Sequence, residues 1–389
     1  MLRPNLRNIK TLSALYLLTF FLNMHAALPG YVHSTFLAEF TTEKVVGLLY
    51  TVAAVLSIFV FWSLPKILEK FGLYKTTIFF MSIEIMAVLM LSIAPSALVV
   101  FVSFIISIIL IRIIGFNTDL FLENYSNDKN TGGTRGFFLA ATNFAWVLSP
   151  IVAGYILGDD MYSRLYFVSI LFLIPLFLII LGKFKNFKDP EYKEMTLIKS
   201  FRLLEKKDNV RKIILSNTVL RFFYSWMVIY TPIYLRDHIG LEWSDIGIIF
   251  TIMLLPFIIF EYPLGKLADK RFGEKEMLVI GFIILAVSTA SLSFISTTSV
   301  LVWGGLLFMT RVGASFVEAM NETYFFKKID GRDSSLVSFF RMTGPLAYIF
   351  GPIIATFLLY FIDFRYLFLS LGIMVLWGLK YAFTIKDTL

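Results

Sequence analysis

The chain has 389 residues, of which 58% are hydrophobic and 16% are charged, and its formal net charge is +8. Soluble domains are usually about a quarter charged and under half apolar, so this composition excludes a soluble fold and indicates a polytopic membrane protein. The positive charge is not a nucleic-acid footprint, because Lys and Arg sort by membrane side, and the lack of cysteine excludes disulfides, thiolate metal sites and thiol nucleophiles.

Apolar runs of roughly 20 residues, the length that spans a bilayer, occur twelve times along the chain. The predicted spans are 9–33, 44–64, 75–94, 97–121, 135–157, 162–182, 212–236, 243–264, 276–296, 299–322, 335–360 and 364–384. The first run is too long for a signal peptide and no small-residue cleavage site is visible, so we expect a spanning helix there.

A long charged stretch separates six spans from six. It predicts an N-terminal six-helix bundle over 1–182, a cytoplasmic linker over 183–211 and a C-terminal six-helix bundle over 212–389. With the N-terminus placed in the cytoplasm, 27 of the 35 Lys and Arg residues fall in inner segments, four in outer segments and four within spans. This asymmetry predicts a multi-pass protein of the cell membrane, plasma or inner, with both termini cytoplasmic.

The two halves of the chain resemble each other at an offset of about 200 residues. LPKILEKFGLYK at 64–75 aligns with LGKLADKRFGEK at 264–275. The fourth and tenth spans also share a trio of charges whose spacing places all three on one helix face: Arg112, Asp119, Glu123 and Arg311, Glu318, Glu322. The spacing therefore predicts two parallel repeats of six helices.

The segment GKLADKRFGEK, which runs from Gly265 through Asp269 and beyond Gly273, resembles the loop motif of the major facilitator superfamily, roughly G-x-L-A-D-R-x-G-R-K. The copy in the first half is weaker, with Pro65 and Glu69 at the Gly and Asp positions. The resemblance covers the whole chain. It implies an all-α membrane protein of 12 transmembrane helices, arranged as two pseudo-symmetric six-helix bundles in the major facilitator fold.

The charges of this motif predict a cytoplasmic gate. A carboxylate at Asp269 can accept hydrogen bonds from a helix N-terminus, and the resemblance implies that this helix is the eleventh span. It also implies that the basic loop residues pair with acids of the tenth span, each pair contributing about 1 kcal/mol or less. The alternative is that these charges are solvated by water and only set the orientation of the spans in the membrane. The predicted gate comprises Glu69, Asp119, Glu123, Gly265, Asp269, Lys270, Arg271, Gly273, Glu318 and Glu322.

Polar groups within spans predict a substrate cavity, because a charge at that depth is costly unless it is paired or faces water. In the family's fold the first, fourth, seventh and tenth spans line a central cavity, and the fifth and eleventh help to form it. The resemblance therefore implies a cavity lined by Asn23, His25, Arg112, Asn143, Trp146, Asn217, Arg221, Tyr224 and Arg341.

Several of these residues have a second interpretation. Glu84, about 13 Å into the third span, is either a protonated carboxyl buried against a neighbouring helix or a proton-coupling site. His25 is the other proton-coupling candidate, although a single His in an apolar span also joins helices by hydrogen bonds. Trp146 can serve packing, and Arg112 can neutralise Asp119.

The sequence contains no G-x-x-x-x-G-K-[ST] loop, no H-E-x-x-H and no G-x-S-x-G motif, so neither ATP-driven transport nor an enzyme is indicated. We expect no cofactor and no metal. The predicted function is secondary active transport of a small organic solute by alternating access, coupled to protons, with efflux or uptake left open. The Arg content of the cavity favours an anionic or polar solute.

Two other classes stay open: a lipid-translocating protein and a non-transporting sensor or scaffold of the same fold. The expected partners are the small-molecule substrate, protons and the lipid bilayer, without nucleic acid, and the expected state is a monomer.

Overall fold

The computed structural model describes residues 6–125, 131–158, 161–189, 207–267, 273–329 and 334–386, and within these ranges it contains helices and turns but no β-strand. The helices are α1 (Leu6–Gly30), α2 (His33–Ala38), α3 (Glu43–Phe71), α4 (Leu73–Ile93), α5 (Ala97–Tyr125), α6 (Thr131–Leu157), α7 (Tyr162–Lys183), α8 (Asp208–Ile233), α9 (Trp243–Leu267), α10 (Gly273–Ser291), α11 (Val300–Lys328), α12 (Ser334–Leu358), α13 (Tyr366–Val375) and α14 (Trp377–Thr384). A π-helical turn, Tyr234–His238, extends α8, and a 3-10 turn, Leu292–Phe294, follows α10.

The described helices have the length and composition of membrane spans. Each predicted span overlaps a helix, and the last is divided between α13 and α14. Among the residues described, nine helical segments are long and apolar enough to cross a membrane. Large apolar side chains stay exposed, among them Leu301 at 83% and Trp377 at 73%, as suits a lipid-facing surface. The all-helical membrane fold is confirmed, whereas the count of twelve spans stays a prediction.

The chain divides into two compact units, which comprise residues 1–41 with 55–194 and residues 42–54 with 195–389. The division after residue 194 falls within the predicted linker. The grouping of 42–54, at the start of α3, with the second unit was not predicted, and the sequence-based domain boundaries stay a prediction. In this unit Glu43 Oε1 lies 2.7 Å from Nε2 of His238.

In the first unit, α1 packs against α6 and α7, and α4 packs against α5 and α7. The core between these helices is formed by aliphatic and aromatic side chains, among them Leu18, Ile113, Phe121, Leu173 and Phe184. Lipid tails are as apolar as these side chains, so close packing rather than escape from water holds the helices together.

The turn from α3 to α4 depends on a glycine and a distant carboxylate. Gly72 has φ +79°, a left-handed conformation that favours glycine, and a Cβ there would lie 2.7 Å from Oδ2 of Asp189. The backbone N–H of Leu73 donates to Oδ1 of Asp189 at 2.7 Å. Asp189 therefore caps the N-terminus of α4. Gly273, the aligned glycine of the second half, has φ +68° at the start of α10.

In the second unit, α11 packs against α9 and α10, while α8 packs against α12. The backbones of α10 and α11 touch at Gly313, where a Cβ would lie 2.5 Å from the backbone N of Leu285 and 2.8 Å from the carbonyl oxygen of Gly281. Small residues permit such approach between membrane helices. Near one end of the same pair, Nζ of Lys327 lies 2.8 Å from Oε1 of the buried Glu274.

Candidate functional site

The second unit contains a polar cavity of about 360 Å³. Its walls come from α8 and α12, which pack against each other and bring two arginines and two tyrosines to one space. The lining residues are Asn217, Arg221, Tyr224, Phe340, Arg341, Gly344 and Tyr348. Four of the nine residues predicted to contact substrate therefore line one cavity: Asn217, Arg221, Tyr224 and Arg341.

Glu318 of α11 binds two of these cavity residues. Nη2 of Arg221 donates to its Oε1 at 2.8 Å, and the Tyr224 hydroxyl donates to its Oε2 at 2.8 Å. The Arg221 and Glu318 side chains are 25% and 21% exposed, so water reaches the pair. Both carboxylate oxygens thus have a hydrogen-bond donor, and one of the two donors is a guanidinium.

Glu322, one turn further along α11, forms two contacts with the guanidinium of Arg341 on α12. Nη1 of Arg341 donates to Oε1 of Glu322 at 2.5 Å, and Nη2 approaches Oε2 at 3.3 Å. Glu318 and Glu322 were predicted to bind the basic loop residues as parts of a gate. Lys270 and Arg271 lie outside the described residues, and within the described ranges the two acids bind arginines that line the cavity. The sequence feature that indicated this arrangement is the common helix face of Arg311, Glu318 and Glu322.

Arg311 is a third cation near the cavity. It is 2% exposed, and its guanidinium carbon lies 5.0 Å from the ring centre of Phe223 and 5.6 Å from that of Tyr224. Such contacts with ring faces stabilise a cation that has left water. Its Nη1 atom has no hydrogen-bond partner in the described part of the chain. The described cluster therefore has three arginines and two glutamates.

Asn217 lies at the wall of the same cavity with its side chain 1% exposed. Its Nδ2 donates to Oγ1 of Thr343 at 2.8 Å, which ties α8 to α12. Its Oδ1 is buried and has no partner in the described ranges. A buried amide oxygen without a donor is costly, so this atom is suited to accept a hydrogen bond from a bound solute or water.

The first unit holds a second polar group around Asn23 of α1. Nε1 of Trp146 donates to Oδ1 of Asn23 at 3.1 Å, and Nδ2 of Asn23 donates to Oγ1 of Thr142 at 3.2 Å. Trp146 therefore has a polar role beside its packing role. Asn143 is half-buried on the same helix α6. Nη1 of Arg112, on α5, lies 3.4 Å from Oγ of Ser57.

His25 and Glu84, the two candidates for proton coupling, are in contact. Nε2 of His25 lies 3.1 Å from Oε1 of Glu84, and the two side chains are 1% and 0% exposed. Ser107 donates to the same Oε1 at 2.6 Å, and Nδ1 of His25 lies 2.7 Å from Oγ of Ser169. Oε2 of Glu84 has no partner among the residues that the structure describes.

This contact resolves part of the choice that the sequence left open for Glu84. The carboxyl is buried against its neighbours, as one interpretation required, and one neighbour is an imidazole that can exchange a proton with it. Nδ1 of His25 also lies 3.1 Å from the carbonyl oxygen of Ser169, which only a protonated Nδ1 can satisfy.

The predicted gate residues are only partly described. Asp269, Lys270, Arg271 and the side chain of Glu123 lie outside the described residues, and Gly265 lies in the last turn of α9. Glu69 and Asp119 are exposed. Sequence reasoning missed Asp189 and the Glu274–Lys327 pair, because each links positions far apart in the chain. The one sequence feature that could have indicated the second of these contacts is the position of Glu274 directly after the turn glycine, Gly273.

No group of three or more His, Asp or Glu side chains in the described ranges is placed to hold a metal ion.

Comparison with known proteins finds a family match over the second half of the chain. The sequence profile of the Major Facilitator Superfamily matches residues 213–386. The probable sulfoacetate transporter SauU of Cupriavidus necator is 25% identical over 194 residues, and the match covers 48% of this chain and 44% of that protein. The chain thus matches less than half of the length of this curated relative.

Solved transporters share the fold at low sequence identity. A POT family peptide transporter in an auto-inhibited state has a TM-score of 0.77 at 10% identity, covering 97% of this chain and 98% of that one. A bacterial homologue of the iron transporter ferroportin has a TM-score of 0.75 at 16% identity, covering 98% and 99%. The nucleoside transporter NupG has a TM-score of 0.74 at 12% identity, covering 96% and 98%.

The chain therefore has the fold of solved membrane transporters, and its second half matches the profile of the Major Facilitator Superfamily, in agreement with the family resemblance noted in the sequence.

Proposed function

We propose that the chain is a secondary active transporter that moves a small organic solute with a negatively charged group by alternating access. The observation that supports this most is the cavity of the second unit, where Arg221 and Arg341 line the wall and Arg311 lies behind Tyr224. Arginine forks bind carboxylate and sulfonate groups by paired hydrogen bonds. SauU, the sequence relative, is named as a probable transporter of sulfoacetate, an anion of this kind.

The first unit supplies the remaining proposed substrate contacts. Asn23, Trp146, Asn143 and Arg112 are polar groups on helices α1, α5 and α6, and each of their side chains is partly accessible. His25 is buried in its contact with Glu84, so its proposed role is proton coupling rather than contact with the solute.

Proton coupling is assigned to the His25–Glu84 pair. Gain or loss of a proton changes the net charge of the pair inside a buried site, and an unbalanced charge there is costly unless a rearrangement brings in water or a counter-ion. That cost is the physical link between proton uptake and a change of conformation. Glu84→Gln should abolish the proton dependence of transport, and Ser82→Ala, an exposed position on the same helix, is the control. A retained proton dependence in Glu84→Gln would remove the pair from this role.

The loop after α9 is proposed to close the cytoplasmic side of the transporter through Asp269 and its basic neighbours. The proposal includes a cytoplasmic N-terminus, a cell-membrane location and a monomeric state. Asp269→Asn should slow turnover while expression is maintained, since a neutral amide binds a helix N-terminus more weakly than a carboxylate. Unchanged turnover in that variant would count against the gate.

Uptake of labelled sulfoacetate into proteoliposomes under an imposed proton gradient tests the main proposal. Arg221→Gln should reduce uptake at least tenfold, about 1.4 kcal/mol of binding, while Arg164→Gln, an exposed arginine of the first unit, should match the wild type. Scrambling of labelled lipid in the same vesicles would support the lipid-translocating alternative. No movement of any tested solute or lipid would favour a sensor or scaffold.

A further inference from the structure

Six exposed lysines lie at one end of the first unit, where α3 ends, α4 begins and α7 ends. Two stretches of chain carry them: residues 64–75, around the turn from α3 to α4, and residues 183–189, at the end of α7 and just after it. The acids in these two stretches are Glu69 and Asp189, so positive charges outnumber negative charges three to one. The six residues, here called the lysine patch, are Lys66, Lys70, Lys75, Lys183, Lys185 and Lys188.

Packing and a hydrogen bond hold the two stretches together. The ring centres of Phe184 and Phe187, in the second stretch, lie 4.7 and 4.8 Å from that of Phe121 on α5. The carboxylate of Asp189 accepts a hydrogen bond from the backbone N–H of Leu73 at 2.7 Å, at the start of α4. The lysines that follow α7 are therefore fixed beside the lysines of the α3–α4 turn.

The protein does not neutralise these charges by itself. Apart from Lys66, no lysine of the patch forms an ion pair with an acid in the described part of the chain. Lys75 lies in the first turn of α4, which has no acidic residue, although the positive end of the helix dipole disfavours a cation there. The first turn of α10, the aligned helix of the second half, has Glu274 and Glu276 instead. The patch is therefore suited to an anion from outside the chain.

The surface next to the patch is apolar. Trp62, Phe71 and Phe79 are exposed on α3 and α4, on either side of the same turn. Nζ of Lys70 lies 5.2 Å from the ring centre of Phe71, so charged and apolar surfaces meet at that residue. A phospholipid has the matching order of groups, since its acyl chains suit exposed aromatic side chains and its phosphate suits the lysines.

We infer that the lysine patch binds the headgroups of anionic phospholipids and selects them from the zwitterionic phospholipids of the same membrane. A phosphodiester without an ammonium group brings a net negative charge, whereas the choline of a zwitterionic headgroup cancels that charge. Clusters of about four to eight basic residues directly beside a span are typical of such recognition. The patch contributes no residue to the described cavity wall, so the inference is independent of the solute.

Lipid binding to the purified full chain tests this inference. Phosphatidylglycerol and phosphatidylcholine with identical acyl chains are added in an uncharged detergent, and the bound lipid is measured by native mass spectrometry. The wild type should bind phosphatidylglycerol at least about tenfold more tightly, because each lysine near an anionic headgroup adds to the attraction. Raising the salt from about 0.05 M to about 0.5 M should weaken this preference, because ions screen exposed charges. Glycerol 3-phosphate at the same concentration as the lipid should not displace it.

The variants test which lysines select the lipid. Lys70→Gln, Lys185→Gln and Lys188→Gln together should bind the two lipids with affinities within about threefold of each other. Arginine at the same three positions keeps the charge and should retain the preference. The matched control removes three charges from exposed positions of the second unit and should bind like the wild type: Lys328→Gln, Lys380→Gln and Lys386→Gln.

Several outcomes would overturn the inference. Equal affinities of the wild type for both lipids would do so, as would an unchanged preference in the triple glutamine variant. An equal loss in the control variant would show that net charge alone is responsible, and a loss in the arginine variant would show that charge is not. Displacement by glycerol 3-phosphate would indicate a site for a soluble phosphate. Lys188→Gln alone should give a smaller loss of preference, and this single variant decides the question if the triple variant does not fold.

Discussion

The buried contact between His25 and Glu84 makes a sharp prediction about stability. Glu84→Ala removes the hydrogen-bond partner of two groups, the hydroxyl of Ser107 at 2.6 Å and the imidazole Nε2 of His25 at 3.1 Å, in a place that water does not reach. Glu84→Gln keeps an oxygen for the serine and offers an amide N–H to Nε2 of the neutral imidazole. The two substitutions therefore differ chiefly in whether buried polar groups are left unpaired.

The expected cost follows from this count. A buried polar group without a partner costs about 1–3 kcal/mol, so two of them cost about 2–6 kcal/mol in Glu84→Ala. Loss of the side-chain volume adds a cavity, which raises the figure further. Glu84→Gln exchanges one set of hydrogen bonds for another and should cost about 1 kcal/mol or less. The alanine variant should thus unfold at a clearly lower temperature than the glutamine variant.

The assay is thermal unfolding in one detergent at one protein concentration. The fraction of folded protein is measured from the monomer peak in size-exclusion chromatography after heating. Ser82→Ala, at an exposed position on α4, is the control and should match the wild type. Equal midpoints for the alanine and glutamine variants would refute the reasoning, because the hydrogen bonds would then contribute nothing that the amide fails to restore. A wild-type midpoint in Glu84→Ala would refute it as well.

Three further predictions concern packing and capping. Gly313→Ala should cost about 1–3 kcal/mol because the new methyl group meets the backbone of α10, whereas Gly305→Ala, with open space around it, should be neutral or stabilising by up to about 1 kcal/mol; unfolding midpoints compare them, and equal values would contradict the contact. Asp189→Ala should cost about 0.5–2 kcal/mol through loss of the α4 cap, and Asp189→Asn should recover most of it in the same assay. Lys327→Ala should lower the midpoint more than Glu274→Ala, because it leaves a fully buried carboxylate without its cation, whereas the lysine that Glu274→Ala leaves behind reaches water; the reverse order would show that Lys327 does not stabilise the buried acid.

The sequence predicted the helices well because a spanning helix needs a long apolar run, which is visible without tertiary information. It also identified His25, Glu84 and Arg221 as unusual, since polar groups at such depth have few explanations, and it assigned Glu318 to the gate. What it did not predict is which of them meet. His25 and Glu84 are 59 positions apart, and the other two are 97 apart.

Such pairings depend on the axial shift and rotation of one helix against another, which small differences in packing decide. The same reason explains why Asp189, 116 positions from the N–H that it caps, was missed. The charge spacing on the tenth predicted span did indicate a shared face, but it could not say whether that face meets a loop or a neighbouring helix. The structure shows the second arrangement for Glu318 and Glu322.

The glycine contact between α10 and α11 has a mechanical consequence. Two helices whose main chains touch at Gly313, and which an ion pair joins again at Lys327, cannot slide or roll past each other without losing both attachments. The two helices are therefore expected to move as one rigid unit. Glu318 lies on α11 between these two contacts. A displacement of Glu318 should therefore move α10 together with α11, although no α10 side chain is among the described residues that line the cavity.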